Sequence, residues 1–202
     1  MAFENYLRKL KGTTIKVALA FIIISAIITG IFAFDLWGST TFLKDIILEI
    51  QNVFSEFADG YGNIQLVPLL LNNIKVCFVA FGVGVVPFLY LPALILVVNA
   101  LIIGAVLGLF ALESVGMMFI TIGLGILPHG IFELPAIFIS IACGFTLCST
   151  ITKAVLKKEQ DMNISEVILY SLQTIIFICV PLMTVAGIIE VYVTPKLLMM
   201  FI

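Results

Sequence analysis

Residues 66–112 read LVPLLLNNIKVCFVAFGVGVVPFLYLPALILVVNALIIGAVLGLFAL, and Lys75 is the one charge among them. As a single helix they would run about 70 Å at about 1.5 Å per residue, more than twice a hydrocarbon core of about 30 Å. They must fold back. Pro87 and Pro92 bracket Phe88-Leu89-Tyr90-Leu91. A proline removes its own backbone donor and disfavours helix at the residue before it. The stretch is therefore expected to be a membrane hairpin turning at 87–92 on the cytoplasmic side.

The rest of the chain fits that reading. Of its 202 residues 62% are hydrophobic and only 11% charged, and mean hydropathy is +1.27. Soluble domains carry about 25% charged residues, so this chain lacks the charge to coat a water-exposed surface. The ten Lys and Arg are split among distant loops, which excludes a basic nucleic-acid face. Cys77, Cys143, Cys148 and Cys179 fall in apolar runs without a CxxC pair and read as small packing residues. The expectation is one integral membrane domain over 1–202, all-α.

Residues 1–16 carry Arg8, Lys9, Lys11 and Lys16 against Glu4, and a charge-free run from Val17 to Phe34 follows. That run is too long for a signal's apolar core and has no A-x-A-like site after it. It reads as a retained first crossing in the cell (cytoplasmic) membrane with a cytoplasmic N-terminus, ending at Asp35 and Trp37. Residues 39–63 differ in kind. Phe42, Leu43, Ile46, Ile47, Ile50, Val53, Phe54 and Phe57 recur at helical spacing, with Lys44, Asp45, Glu49, Gln51 and Glu56 on the other face. Ser39 or Thr40 is expected to cap this outer amphipathic helix, and Gly60-Tyr61-Gly62-Asn63 to end it. Lipid-binding interfacial helices usually have a Lys/Arg-rich polar face. This one is acidic, which favours docking on the chain's own helices or on a partner.

Beyond Glu113, residues 114–127 are short for a crossing, 134–152 are long enough, and 167–189 span again with a kink expected at Pro181. Lys153, Lys157, Lys158, Glu159 and Asp161 form the loop between, with Asn163 or Ser165 as the next helix cap. Gly82-x-Gly84-x-x-Pro87 before Leu91-Pro92-Ala93 is echoed by Gly123-x-Gly125-x-x-Pro128 before Leu134-Pro135-Ala136. Such Gly/Pro-broken repeats are common in transporters, although Gly and Pro are also simply frequent in membrane helices. A copied hairpin gives six crossings; the basic loop at 153–161, if cytoplasmic, gives five. The reading leans to six segments, the one before Pro128 crossing only in part. The expected fold is thus a polytopic bundle of five to six embedded segments with Pro-broken hairpins plus the outer helix.

The second copy holds Pro128-His129-Gly130-Ile131-Phe132-Glu133-Leu134-Pro135-Ala136, with the chain's one histidine. Ionisable residues inside a membrane are costly and mark functional sites by default. His129 and Glu133, four apart, share a helix face. A proton relay, a metal site, an acid/base pair and a structural clasp are the readings. A metal needs further ligands, of which Glu190 is the obvious one. No cofactor is expected, and no partner for His129 points to catalysis. Asn72, Asn73 and Asn99 bond across helices or line a cavity with the pair. Lys75 pairs with Glu133 or Glu190, or snorkels outward. Gly104, Gly108 and Gly144 sit where close helix packing wants them.

Together the nine-residue motif at 128–136, Asn72-Asn73, Gly82 and Gly84, Asn99, and Glu190 ahead of Pro195 resemble the stage II sporulation protein M family over nearly the whole chain. Ala100 departs from the family's usual Asn-Gly. The resemblance implies a non-enzymatic membrane component. In endospore formers such proteins anchor wall hydrolases in the complex that remodels septal peptidoglycan; the family also extends to archaea without that wall. Anchoring or assembly of an envelope complex is then the leading expectation, with 40–58 docking a membrane or extracytoplasmic protein. A homo-oligomer is compatible with it. The alternative is a small transporter or proton-coupled channel working through His129 and Glu133.

Overall fold

The structure is a computed structural model that describes residues 2–60, 63–159 and 162–200. Every regular element in it is helical. In chain order these are α1 (Ala2–Ala33), α2 (Ser39–Ser55), α3 (Leu66–Gly82), α4 (Pro92–Glu113), α5 (Val115–Ile120), α6 (Leu127–Val155), α7 (Ile164–Thr174), α8 (Val180–Tyr192) and α9 (Thr194–Leu198). A π-helical turn, Thr121–Ile126, joins α5 to α6, and another, Ile175–Cys179, joins α7 to α8. Among the described residues five helices are therefore long and apolar enough to cross a membrane: Phe3–Ala33, Leu66–Val85, Pro92–Glu113, Val115–Val155 and Ile164–Tyr192. The chain is an all-α, multi-pass membrane protein.

The first hairpin forms as expected. α3 ends in a 3-10 turn at Val83–Val85, Val86 is extended before Pro87, and α4 starts at Pro92, where a missing N–H costs nothing. Phe88 and Tyr90 take left-handed φ of 67° and 46°, which non-glycine residues adopt only when their surroundings impose it. Two side chains one turn apart on α6 contribute. Thr152 Oγ1 accepts from the Phe88 N–H at 3.0 Å, and the Cys148 thiol donates to the Val86 carbonyl at 3.3 Å. Cys148 is thus a donor to the turn as well as a packing residue.

The apparent second hairpin does not form. Leu127, ahead of Pro128, is helical at φ −57°, ψ −41°, and Pro135 lies inside α6. The π turn explains the difference. The Leu127 N–H bonds the Ile122 carbonyl, five residues back, and this wider turn shifts the carbonyl that the Pro128 ring would otherwise strike. Residues 115–127 are the opening of one 41-residue helix, and the lean to six segments is corrected to five. Pro181 is met in the same way: the Val180 N–H reaches back to Ile175.

The described chain falls into two compact units, Met1–Ala20 with Asn72–Leu96 and Phe132–Thr184, and Phe21–Leu71 with Val97–Ile131 and Val185–Ile202. In the first, Gly144 packs backbone to backbone against Ala80 and Gly84, with the Pro92 ring also against it. The Tyr6 hydroxyl is buried between Ser171 Oγ at 3.0 Å and Cys143 Sγ at 3.3 Å. In the second, Gly104 lies under Ile28 and Gly108 under Phe32, and Thr29 donates to the Gly104 carbonyl at 3.3 Å. All four cysteines are free and buried, and Gly104, Gly108 and Gly144 sit at close contacts as expected.

The amphipathic segment is the shorter α2. Its cap is not Ser39 or Thr40: Asp35 Oδ1 accepts from the Thr40 N–H at 2.9 Å, and Ser39 donates to the Ile31 carbonyl. After Ser55 the chain closes through Asp59 and Asn63, which exchange hydrogen bonds; Tyr61 and Gly62 lie outside the described residues. Leu43, with Ile46 and Ile47, packs on Phe32, Ala105, Ile28 and Leu109. Docking on the chain's own helices is therefore how α2 uses its apolar face, although Phe42 and Val53 point outward.

A methyl group at Gly144 would meet the Ala80 carbonyl, whereas one at Gly82 meets nothing. Gly144→Ala is expected to lose about 1–3 kcal/mol, read from denaturation in detergent, while Gly82→Ala holds or gains slightly.

Candidate functional site

The motif sits on α6, where the helix resumes after its π turn. His129 and Glu133 are one turn apart on the same face and both half-buried. Pro128 and Pro135 both lie within the continuous helix rather than ending it. α8 ends two residues after Glu190, and Val193 leads into α9, whose Pro195 occupies the first turn. This bend brings the buried Thr194 hydroxyl to 3.4 Å from His129 Nδ1. α9 lies along the π turn that precedes the motif, with Leu198 beside Gly125.

His129 is the hub of the arrangement. A ring nitrogen lies within 4.8 Å of a carboxylate oxygen of Glu190. Of the residues singled out from sequence, the structure thus brings His129 and Glu190 together, with Glu133 one turn along α6 from His129 and Gly130 buried between those two in the chain. Asn72 and Asn73 lie half-buried on α3 and Asn99 half-buried on α4. Lys75 is exposed, as a snorkelling lysine would be.

Thr194 was not legible as a site residue. The signal available was its position, four after Glu190 and just ahead of Pro195, where a helix restarting at the proline turns the hydroxyl back. Chemically the group can relay a proton, hold a cation between nitrogen and oxygen donors, or clasp α6 to the end of α8.

Residues 17–195 match the stage II sporulation protein M family. The chain is also similar to a protein of Methanocaldococcus jannaschii, titled "Uncharacterized protein MJ0793", at 34% identity over 133 residues, covering 64% of this chain and 70% of that one. No solved structure matches.

If Thr194 orients the imidazole, Thr194→Val should lose about 0.5–1.5 kcal/mol of stability in detergent, the net worth of one buried hydrogen bond. Thr194→Ser should retain it.

Proposed function

The chain belongs to the stage II sporulation protein M family, and from that footing we propose that it is a non-enzymatic scaffold. In this reading it holds an extracytoplasmic or membrane protein at the envelope through α2. The observation that carries this is how α2 divides its faces. Its apolar stripe is spent on Phe32 and Ala105, which leaves Asp45, Glu49, Gln51, Asn52 and Glu56 exposed. Among them stand Phe42, 63% exposed, and Leu48, 57% exposed. Aromatic and aliphatic anchors set in a polar rim are what an interface uses. With Lys44 as the only cation on that face, the fitting partner surface is basic.

Charge placement supports the orientation. With five crossings, Arg8, Lys9, Lys11 and Lys16 and the loop bearing Lys153, Lys157 and Lys158 share one side. By the positive-inside tendency that side is the cytoplasm. α2 is then outside, and the C-terminus with it. The cell membrane is the proposed location.

Transport is the weaker reading. It drew on the repeat as well as on His129 and Glu133, and the second copy is a continuous helix; only the ionisable group still speaks for it.

Two measurements test the proposal in cells that make the protein naturally. A photo-crosslinker at position 48 or 52 should yield one dominant partner adduct, whereas at position 43 it should not. Glu49→Lys with Glu56→Lys should cut that adduct by about tenfold or more, and an unchanged adduct would count against the scaffold. Cysteine at position 49 should react with a membrane-impermeant maleimide in intact cells, and cysteine at 158 only after lysis.

A further inference from the structure

We infer that a cavity between the start of α1 and the residue ahead of α7 binds the phosphate of an anionic phospholipid. The cavity measures about 290 Å³ and is lined by Asn5, Arg8, Lys9 and Met162. All four belong to the first of the two compact units. Ligand pockets run from about 300 to 1,000 Å³, so this one suits a headgroup rather than a whole lipid.

The first support is the donor set. A guanidinium offers a planar fork of N–H donors that matches phosphate oxygens, and an ammonium adds a compact charge. Arg8 is exposed, with half-buried Lys9 beside it. Arg8 Nη2 donates to Asn5 Oδ1 at 3.2 Å. That bond steadies the fork and leaves further N–H groups for an anion. Among the described residues no carboxylate lines the cavity. Of the acids near it in sequence, Glu4 is exposed and Glu166 accepts from the Asn163 N–H at 3.0 Å as part of the α7 cap. Asp161 lies outside the described residues.

The second is position. Arg8 and Lys9 precede the charge-free run of α1, and Met162 stands two residues ahead of α7, where the crossing Ile164–Tyr192 begins. A cavity at the mouths of two crossings lies at the membrane surface, the layer that holds lipid phosphates. Basic pockets between crossings are where anionic headgroups seat.

The third is the apolar surround, which favours a lipid over a free phosphate ion. The Met162 side chain is buried at the cavity wall. Phe3 and Leu7, one turn apart on α1, are exposed next to Asn5 and Arg8 in the chain, as glycerol and acyl groups would require. This site is independent of α2 and of the scaffold reading.

The full chain is purified in a neutral detergent, stripped of lipid and titrated with phosphatidylglycerol or with phosphatidylcholine of the same acyl chains. Native mass spectrometry counts the bound lipid. Phosphatidylglycerol should saturate at one tight site per chain, about tenfold or more above phosphatidylcholine. Arg8→Gln and Lys9→Gln should each weaken it about fivefold, whereas Lys16→Gln, on the same helix but outside the lining, should change it less than about twofold. The wild-type chain gives a second readout: phosphatidylglycerol with a photoreactive headgroup should label the peptides that contain residues 5–9 and 162. Equal affinity for the two lipids would overturn the site, as would the same loss in all three variants or labelling confined to other peptides. Displacement of the lipid by inorganic phosphate at about 10 mM, a concentration far too low to screen charge at this range, would overturn the lipid as its ligand.

Discussion

In hydrocarbon every backbone N–H and C=O has to find a partner inside the protein, and the prolines of this chain are where that demand is hardest to meet. Pro87 and Pro92 meet it by ending helices. The turn between them leaves donors and acceptors that α6 satisfies from the side, through Thr152 and Cys148. Pro128 and Pro181 meet it by a π turn just upstream, which keeps the helix continuous. Hydroxyls within the crossings are similarly tied down: Ser140, Thr146, Thr150, Thr174 and Thr184 each bond a carbonyl four residues back. Where a proline breaks a helix and where it is absorbed decides the number of crossings.

That choice is the part of the fold the sequence hid. The apolar runs are long against about 30 Å of hydrocarbon, so the existence of the crossings was legible. So were the glycine contacts, because a Gly at 104, 108 or 144 in such a run has little use except close approach. α2 was legible from its two-sided spacing. The second hairpin was not, because the same Gly-x-Gly-x-x-Pro string is compatible with both outcomes. The deciding feature is an i to i−5 hydrogen bond at Leu127, a backbone event with no residue signature of its own. The Asp35 cap was hidden in the same manner: the left-handed Asp35 and Trp37, and Gly38 beside them, displace the capping oxygen to a residue upstream of the helix.

At the candidate site, legibility followed cost. His129, Glu133 and Glu190 stood out because ionisable groups are rare in such a chain. Thr194 did not, since a threonine near a helix end has many ordinary uses. It was the bend between α8 and α9 that made it a neighbour of His129.

The polar groups of this protein thus divide between two tasks. On α2 the acidic residues are exposed and solvated, where a charge costs little, and in the proposed scaffold they would serve to choose a partner. On α6 and α8 the ionisable residues are half-buried, where a charge is expensive and persists only if something compensates it. A scaffold explains the first set but has no need of the second. Holding helices together in hydrocarbon requires only close packing, which the glycines already supply. The contact between His129 and Thr194 adds a polar tie between α6 and the chain just beyond α8 to the close packing that the glycines supply.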